Sequence, residues 1–481
     1  MTNKRPQNTV VKEIIAVALL ALAAMILNRK VHISWMFIDD LNIWDWYRCE
    51  TFWEFTFPKT AGHLRTVSWA AIWLLFKAAG TNMQIIIFTL IALLVFTAVY
   101  LRRFFEELSG SYIVSVFLSL VFVASRFSYY NVSQVLGLTE ALSLMFAVFM
   151  CRRTWRYLHD ANERNISLGI LYYVLATLSH ERYMVLLPIL FYVVTVNKKE
   201  KRKALWVIIT TAVFVALQFA RWKVIGSILP AGTGGSDVVA DFTKKGFVLN
   251  VLSQLAYMVG INAGPEWLCG TSWQSTPVLI KGLVVIFLAL LVRIFMIFFG
   301  CVKERKRFPT VEFLFFAGFV IGLVTASSVA VRLEMRWIYV SFTAALLLMA
   351  YLHGFCLETK RTNISLLLIL ACLLMIFCDI WYRDHEEALY LEMEQRRRES
   401  FIEKTYGAFG DRVVDIDIYI LKNFYNLREY EEKLFNKPIG LFEGTLNITH
   451  VDSMEEIPAD GKEKIVLYEI PEKDVYEYVG Q

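Results

Sequence analysis

Three groups of residues in this sequence have types and spacing that could do chemistry. Asp39 and Asp40 stand side by side in Phe37-Ile38-Asp39-Asp40-Leu41, about ten residues after an apolar stretch. Neighbouring carboxylates next to an apolar segment are costly unless solvated, paired or bound to a cation. Such a pair can act as a general base, or as ligands to a metal, for attack at an electrophilic centre. On a helix, neighbours point about 100° apart, so only one of the two would face a pocket directly. The plain alternative is a hydrated loop pair that caps a helix through Asn42. His63-Leu64-Arg65-Thr66 is the second group. A guanidinium matches phosphate oxygens bidentately, so His63 and Arg65 suit a phosphate, or else a lipid headgroup at the interface. The third is His180-Glu181-Arg182, in a short turn between two apolar stretches. Charged residues at such depth face a bundle interior or an aqueous cavity, unless they pair internally as a structural turn. Arg221, Arg332, Glu334 and Arg336 also end apolar stretches. Singly each is a snorkelling or paired side chain; together they make a cationic vestibule suited to a phosphorylated lipid.

The elements that must position these groups are membrane helices. The chain is 57% hydrophobic and only 19% charged, and its mean hydropathy is +0.49. A soluble protein cannot hide that much apolar surface, whereas a bilayer accepts it. Eleven apolar stretches are expected to span: Glu13–Asn28, Asn82–Leu101, Ser111–Phe127, Gln134–Cys151, Ile166–Ser179, Tyr183–Val196, Ala204–Trp222, Pro277–Gly300, Val311–Ala330, Trp337–Phe355 and Ile364–Tyr382. The first is a retained span rather than a cleaved signal peptide, because Arg29-Lys30-Val31-His32 follows it and no small-residue cleavage site does.

Arg102-Arg103, the group Arg152, Arg153 and Arg156, the run 198–203, the group 303–307 and Lys360-Arg361 fall on every second loop. The positive-inside rule makes that side cytoplasmic. The N-terminus is then inside, and the loops 29–81 and 223–276 are outside. Val67–Ala79, broken by Lys77, is expected to lie on the membrane surface, and Phe247–Ile261 to be a surface or re-entrant helix. The stretch Ala231-Gly232-Thr233-Gly234-Gly235-Ser236 is expected to be flexible.

Charge divides the chain again at its tail. Residues 383–481 hold 13 Lys/Arg against 23 Asp/Glu, and residues 1–382 hold 36 against 21. The expected organisation is a membrane domain over 1–382 and a small extracytoplasmic α/β domain over 383–481, with strands near 412–420 and 464–470. Basic residues confined to short loops between apolar spans are no phosphate-binding face, so nucleic acid is not the expected partner.

No Walker loop, G-x-G-x-x-G, H-E-x-x-H or G-x-S-x-G is present, so ATP-driven transport and hydride transfer have no support. His32, His159 and His353 do not cluster at metal-ligand spacing. Of seven cysteines, only Cys49 and Cys269 fall in the two outer loops, where a disulfide could persist.

The layout resembles the GT-C superfamily of membrane glycosyltransferases over roughly residues 10–350. The likeness rests on a first span followed by Asp39-Asp40, on His63-Leu64-Arg65-Thr66 in place of His-x-Arg-Pro, and on Gly80-Thr81-Asn82 before the second span. His180-Glu181 is similar to the family's outer turn, and Arg336 with Tyr339 to its late Arg-and-Tyr helix start. The resemblance is strongest to bacterial members that decorate surface polysaccharides, including glucosyltransferases related to O-antigen modification. It implies a sugar donor carried on a polyprenyl phosphate, a glycan, lipid or protein acceptor, and transfer with inversion at the plasma membrane's outer face. It also implies Asp39 as general base with Asp40 in support. His180, Arg182, Arg336 and Arg65 would meet the donor phosphate, with His63, Glu181, Arg221 and Tyr339 in the cavity wall. Some members place a divalent cation, Mg or Mn, at the acidic pair; others need none. Two other classes stay open: a transporter or flippase of glycolipids or cell-wall precursors, and a non-catalytic assembly protein displaying its tail.

Overall fold

The computed structural model describes residues 7–29, 31, 33–36, 38–58, 62–228, 243–264, 271–306, 308–330, 333–359, 363–385, 390–421, 446–470, 473 and 475–479. Two compact units share the chain. The first comprises Met1–Lys30, Glu50–Leu74 and Ile87–Glu387; the second comprises Val31–Cys49, Leu75–Ile86 and Ala388–Gln481.

The first unit is helical among its described residues. Across the described residues, seven helices are long and apolar enough to cross a membrane: Val10–Asn28, Met83–Ser109, Lys203–Ile225, Val278–Arg305, Thr310–Ser328, Met335–Leu357 and Asn363–His385. Tyr112–Ala124 and Arg126–Ser133 add an eighth if they are one span, bent by 52° at Ser125. The chain is a polytopic α-helical membrane protein.

Three of the eleven expected spans do not meet that standard. Gln134–Cys151 lies on the helix Gly137–Asp160, which carries Glu140, Arg152, Arg153 and Arg156. Ile166–Ser179 lies on the 17-residue helix Glu163–Ser179. Tyr183–Val196 splits into a 3-10 segment, Glu181–Leu186, and a helix of 10 residues, Leu187–Val196. These pieces are sheltered by protein: Gly137, Glu140, Ser143, Ala147 and Met150 are all buried. A helix screened from lipid by its neighbours does not need an apolar surface all round.

The first two of these helices form an antiparallel hairpin. Ala161, in the left-handed region at φ 51°, ends the first helix, and the Asn162 side chain caps the second by accepting from the Arg164 amide at 2.9 Å. Gly169 lets the pair close: a Cβ there would come 2.9 Å from Cγ2 of Thr154.

Ion pairs join the helix ends that the charge alternation assigns to one side. Arg102 and Arg103 meet Glu13, Arg152 and Arg156 meet Glu107, Arg202 meets Glu163, and Arg305 meets Glu358. Each pair links two segments that the alternation places together.

The expected surface helix is Thr66–Ala79, 14 residues long and shared between the two units. At about 1.5 Å per residue it is too short to span. The expected Phe247–Ile261 helix runs over Lys244–Met258 and is capped by Thr243. The expected flexible stretch 231–236 lies outside the described residues.

The second unit is α/β. Its strands among the described residues are β1 (Asp417–Leu421), β2 (Asn447–Val451), β3 (Lys464–Ile470) and β4 (Val475–Tyr478). They form one sheet in the order β2-β1-β3-β4. β1 pairs parallel with β2 and β3, and β4 pairs antiparallel with β3. The expected strand at 412–420 begins late, because Gly410–Asp415 is a 3-10 segment. Helix Tyr390–Lys404 is fastened to β4 through Ser400, whose hydroxyl donates to the Tyr476 carbonyl at 3.0 Å and accepts from its amide at 2.9 Å.

Candidate functional site

Within the first unit, most of the charged residues singled out by the sequence come together. The segment 62–68 is strapped to the turn after helix Glu163–Ser179. The Ser68 hydroxyl donates to the Ser179 carbonyl at 2.8 Å, and the Leu64 amide donates to Oε1 of Glu181 at 2.5 Å. His63 thereby lies with its Nδ1 3.6 Å from Oε2 of Glu181. Arg221, fully buried near the end of its helix, places Nη1 2.7 Å from the same oxygen.

A second carboxylate organises the rest. Glu140, 1% exposed, holds Oε1 at 3.3 Å from Nε2 of His180, 3.6 Å from Nη2 of Arg182 and 3.8 Å from Nε of Arg336. Arg336 also meets Oε2 of Glu334 at 2.5 Å and donates through Nη1 to the Tyr130 hydroxyl. Its guanidinium lies 4.1 Å from the Tyr130 ring, while that of Arg182 lies 4.3 Å over the Trp337 ring. Aromatic faces of this kind hold a cation without neutralising it.

Local sequence explains the position of Glu140. Gly137 opens its helix against the preceding turn, where a Cβ would come 2.6 Å from the Tyr130 carbonyl oxygen and 2.8 Å from that of Asn131. Only glycine permits that approach. Glu140, in the same helical turn, shares Arg336 with Tyr130.

Electrostatics favour an anion here. Among the described residues, four guanidinium groups (Arg65, Arg182, Arg221, Arg336) lie near three carboxylates (Glu140, Glu181, Glu334). Burial, and then Arg65 and Arg182 nearby, hold His180 well below its usual pKa. Its Nδ1 accepts from the Arg182 amide at 3.2 Å, which assigns the single ring proton to Nε2, facing Glu140. Burial also lowers His63, helped by Arg65 and opposed by Glu181. Burial alone would raise the Glu181 carboxyl, but His63, Arg221 and the Leu64 amide outweigh it and hold it at about 2. Burial pushes Arg182 down to about 10, against the pull of Glu140, so it stays charged at neutral pH. Nη1 of Arg182, Nε of Arg65 and Oε2 of Glu140 are buried with no hydrogen-bond partner among the described residues. Buried donors without partners are costly, and an incoming ligand with acceptor oxygens would satisfy them.

Tyr339 is not part of this cluster. Its hydroxyl donates to the Phe122 carbonyl at 3.0 Å and its ring stacks on Phe122 with centroids 4.8 Å apart. It ties two helices together. Arg332 lies outside the described residues. Glu140, by contrast, was missed by the sequence reading, although a lone carboxylate in an expected span is itself a signal.

The acidic pair belongs to the second unit. Asp39 and Asp40 occupy the first turn of helix Ile38–Cys49, where the helix dipole favours carboxylates. Asp39 is exposed and Asp40 fully buried, the divergence expected of helical neighbours. The segment before them is held by the tail. Gln395 accepts from the amides of Ser34 at 3.0 Å and Trp35 at 2.9 Å and donates to the Trp35 carbonyl at 3.0 Å; Arg398 donates to the Met36 carbonyl. The tail therefore folds with the acidic-pair segment.

Among the described residues no group of three or more His, Cys, Asp or Glu could hold a metal ion. Asp39 and Asp40 diverge on their helix, one exposed and one buried, so a Mg ion at Asp39 would need most of its six oxygens from other sources. Cys49 is exposed; Cys269, its expected disulfide partner, lies outside the described residues.

No protein-family model matches the chain, and no curated protein matches it.

Proposed function

We propose that this protein is a GT-C-like membrane glycosyltransferase that moves a sugar from a polyprenyl-phosphate donor to a glycan, lipid or protein acceptor outside the cytoplasm. The observation that carries the reading is the buried cluster around Glu140, where donors of Arg182 and Arg65 have no hydrogen-bond partner among the described residues. A phosphate diester linking sugar to lipid brings the acceptor oxygens and the negative charge that such a cluster lacks.

In this reading Arg182, Arg336 and Arg65 bind the donor phosphate, and His180 and Glu140 orient them. In the family that the sequence resembles, a carboxylate takes the acceptor hydroxyl's proton as that oxygen bonds to the anomeric carbon and the sugar–phosphate bond breaks on the opposite face, and the resemblance gives that role to Asp39. The bonding pair leaves with the phosphate, and the guanidinium groups offset its growing charge. Inversion follows from attack opposite the leaving group. Assignment of the base to Asp39 rests on the family resemblance and on its exposure. With the N-terminus inside, as the positive-inside pattern implies, the Glu140 cluster faces outward, where a lipid-borne donor is needed because nucleotide sugars are cytoplasmic.

The test uses purified protein with a polyprenyl-phosphate sugar and a mixture of candidate acceptors. Asp39→Asn should lower transfer by roughly 10²–10⁴-fold with donor binding intact. Donor binding without transfer by the native chain would favour a transporter or flippase. No donor binding at all would leave the display of the tail as the function.

A further inference from the structure

Glu140 and Glu181 are both buried carboxylates of the cluster, and they differ in how their oxygens are used. Both oxygens of Glu181 are engaged. Its Oε1 accepts from the Leu64 amide, and its Oε2 lies 2.7 Å from Nη1 of Arg221 and 3.6 Å from Nδ1 of His63. Glu140 meets His180, Arg182 and Arg336 through Oε1, while its Oε2 is buried with no hydrogen-bond partner among the described residues. A carboxylate oxygen shut away from water without a donor is costly.

Two buried donors beside it also have no hydrogen-bond partner among the described residues. One is Nη1 of Arg182, whose Nη2 is 3.6 Å from Oε1 of Glu140. The other is Nε1 of Trp337, whose ring lies 4.3 Å from the Arg182 guanidinium. Nη1 and Nη2 share one carbon, as do Oε1 and Oε2, so a single small ligand reaches both Nη1 of Arg182 and Oε2 of Glu140. The cluster therefore asks for acceptor and donor groups side by side. A phosphate diester answers only half of that. Its oxygens accept from Arg182 and from Nε of Arg65, but it has no hydrogen to give, and Oε2 stays unfilled. The matching ligand carries a hydrogen-bond donor directly beside its phosphate. In a glycosyl phosphate that group is the hydroxyl on C2, the carbon next to the one that bears the phosphate.

We propose that Oε2 of Glu140 accepts a hydrogen bond from the C2 hydroxyl of the donor sugar, so that the donor class is a polyprenyl-phosphate hexose with a hydroxyl at C2, and 2-deoxy sugars are rejected. The proposal rests on the glycosyltransferase reading above and adds a sugar requirement to it. Glu140 then has two tasks: Oε1 holds Arg182 and Arg336, and Oε2 reads the sugar. A site built to hydrogen-bond a substrate hydroxyl discriminates against the analogue that lacks it, because the buried group is then left unpaired.

Calorimetric titration of the full chain in detergent tests this with polyprenyl-phosphate glucose, polyprenyl-phosphate mannose, the 2-deoxy analogue that these two sugars share, and the 2-fluoro-2-deoxy analogue of the tighter one. Glucose and mannose differ only at C2. The better of them should bind roughly 10–100-fold more tightly than the 2-deoxy analogue, the scale of a hydrogen bond to a charged group. The 2-fluoro analogue, which is close to the hydroxyl in size but cannot donate, should bind no better than the 2-deoxy one. Glu140→Gln should narrow the gap between hydroxylated and 2-deoxy donors to roughly threefold, the scale of a neutral hydrogen bond. Equal binding of hydroxylated and 2-deoxy donors by the native chain, or a 2-fluoro donor bound as tightly as the hydroxylated one, would overturn the proposal and leave the transferase reading standing. An undiminished gap in Glu140→Gln would also overturn it, because the hydroxyl's partner would then be another group. Binding of none of the four probes would overturn both.

Discussion

Glu107 and Glu140 are both carboxylates on helices of the first unit, and each meets more than one arginine. Glu107 is bound at full hydrogen-bond strength, 2.9 Å from Nε of Arg152 and 2.8 Å from Nη2 of Arg156, and its partners are 15% and 38% exposed. Glu140 is buried, the three cations near its Oε1 stand at 3.3–3.8 Å, and its Oε2 has no hydrogen-bond partner among the described residues. Short pairs in water are cheap and nearly neutral for stability. Loose pairs in a dry interior are expensive, because desolvation is charged in full and the Coulomb return is partial. An arrangement kept in spite of that cost is the one to examine for function.

Four measurements would break or sharpen the contrast. The largest effect is expected from Arg182→Gln, which should weaken donor binding and lower transfer by roughly 10²–10³-fold, the range for removing a donor from a charged transition state. Arg156→Gln, its counterpart among the exposed pairs, should leave transfer unchanged. A comparable loss in both would remove the distinction.

The cost of breaking a pair is of similar size. Glu181→Gln removes the carboxylate that lies 2.7 Å from the fully buried Arg221 and should destabilise the first unit by about 3–5 kcal/mol. Glu107→Gln should cost no more than about 1 kcal/mol. Thermal unfolding in detergent compares the two, and equal shifts would mean that burial is not what separates them.

Gly137→Ala should be smaller, about 1–3 kcal/mol, since its Cβ must displace the Tyr130 and Asn131 carbonyls. It should also lower transfer by shifting Glu140. An unaltered protein would show that the helix start is free to move.

The smallest effect is in pH. His180 and His63 have folded pKa values below the usual 6.5, so below pH 6.5 the unfolded chain binds protons that the folded chain refuses. Their contribution is fully present above that pH and declines as pH falls through it. Glu181, held at about 2, contributes above its ordinary value of 4.5 and loses that contribution as pH falls toward 2. Melting temperature should therefore drop between pH 6.5 and 5, and His180→Asn should flatten the drop. A slope unchanged by that substitution would put the titration elsewhere.

Much of this protein was legible in its sequence, for reasons that differ by residue. Apolar run length is a local property, so the seven long apolar helices among the described residues follow from composition and the bilayer's thickness. The basic loops are local too, and their alternation anticipated which helix ends meet. His180, Glu181, Arg182 and Arg336 were found because charge beside an apolar run is conspicuous. The sequence did not reveal what joins them. Glu140 is a single carboxylate in an otherwise apolar stretch, and its role depends on Gly137 letting one helix start close against Tyr130. Tyr339 had the right position in the chain, but tertiary packing gave its hydroxyl to a carbonyl. Charge changes at residue 383, inside the helix Asn363–His385, whereas the second unit takes up the tail at Ala388 and its Gln395 and Arg398 bind backbone more than 350 residues away. Contacts of that range are decided by packing and hydrogen-bond satisfaction across the fold, which no window along the chain contains.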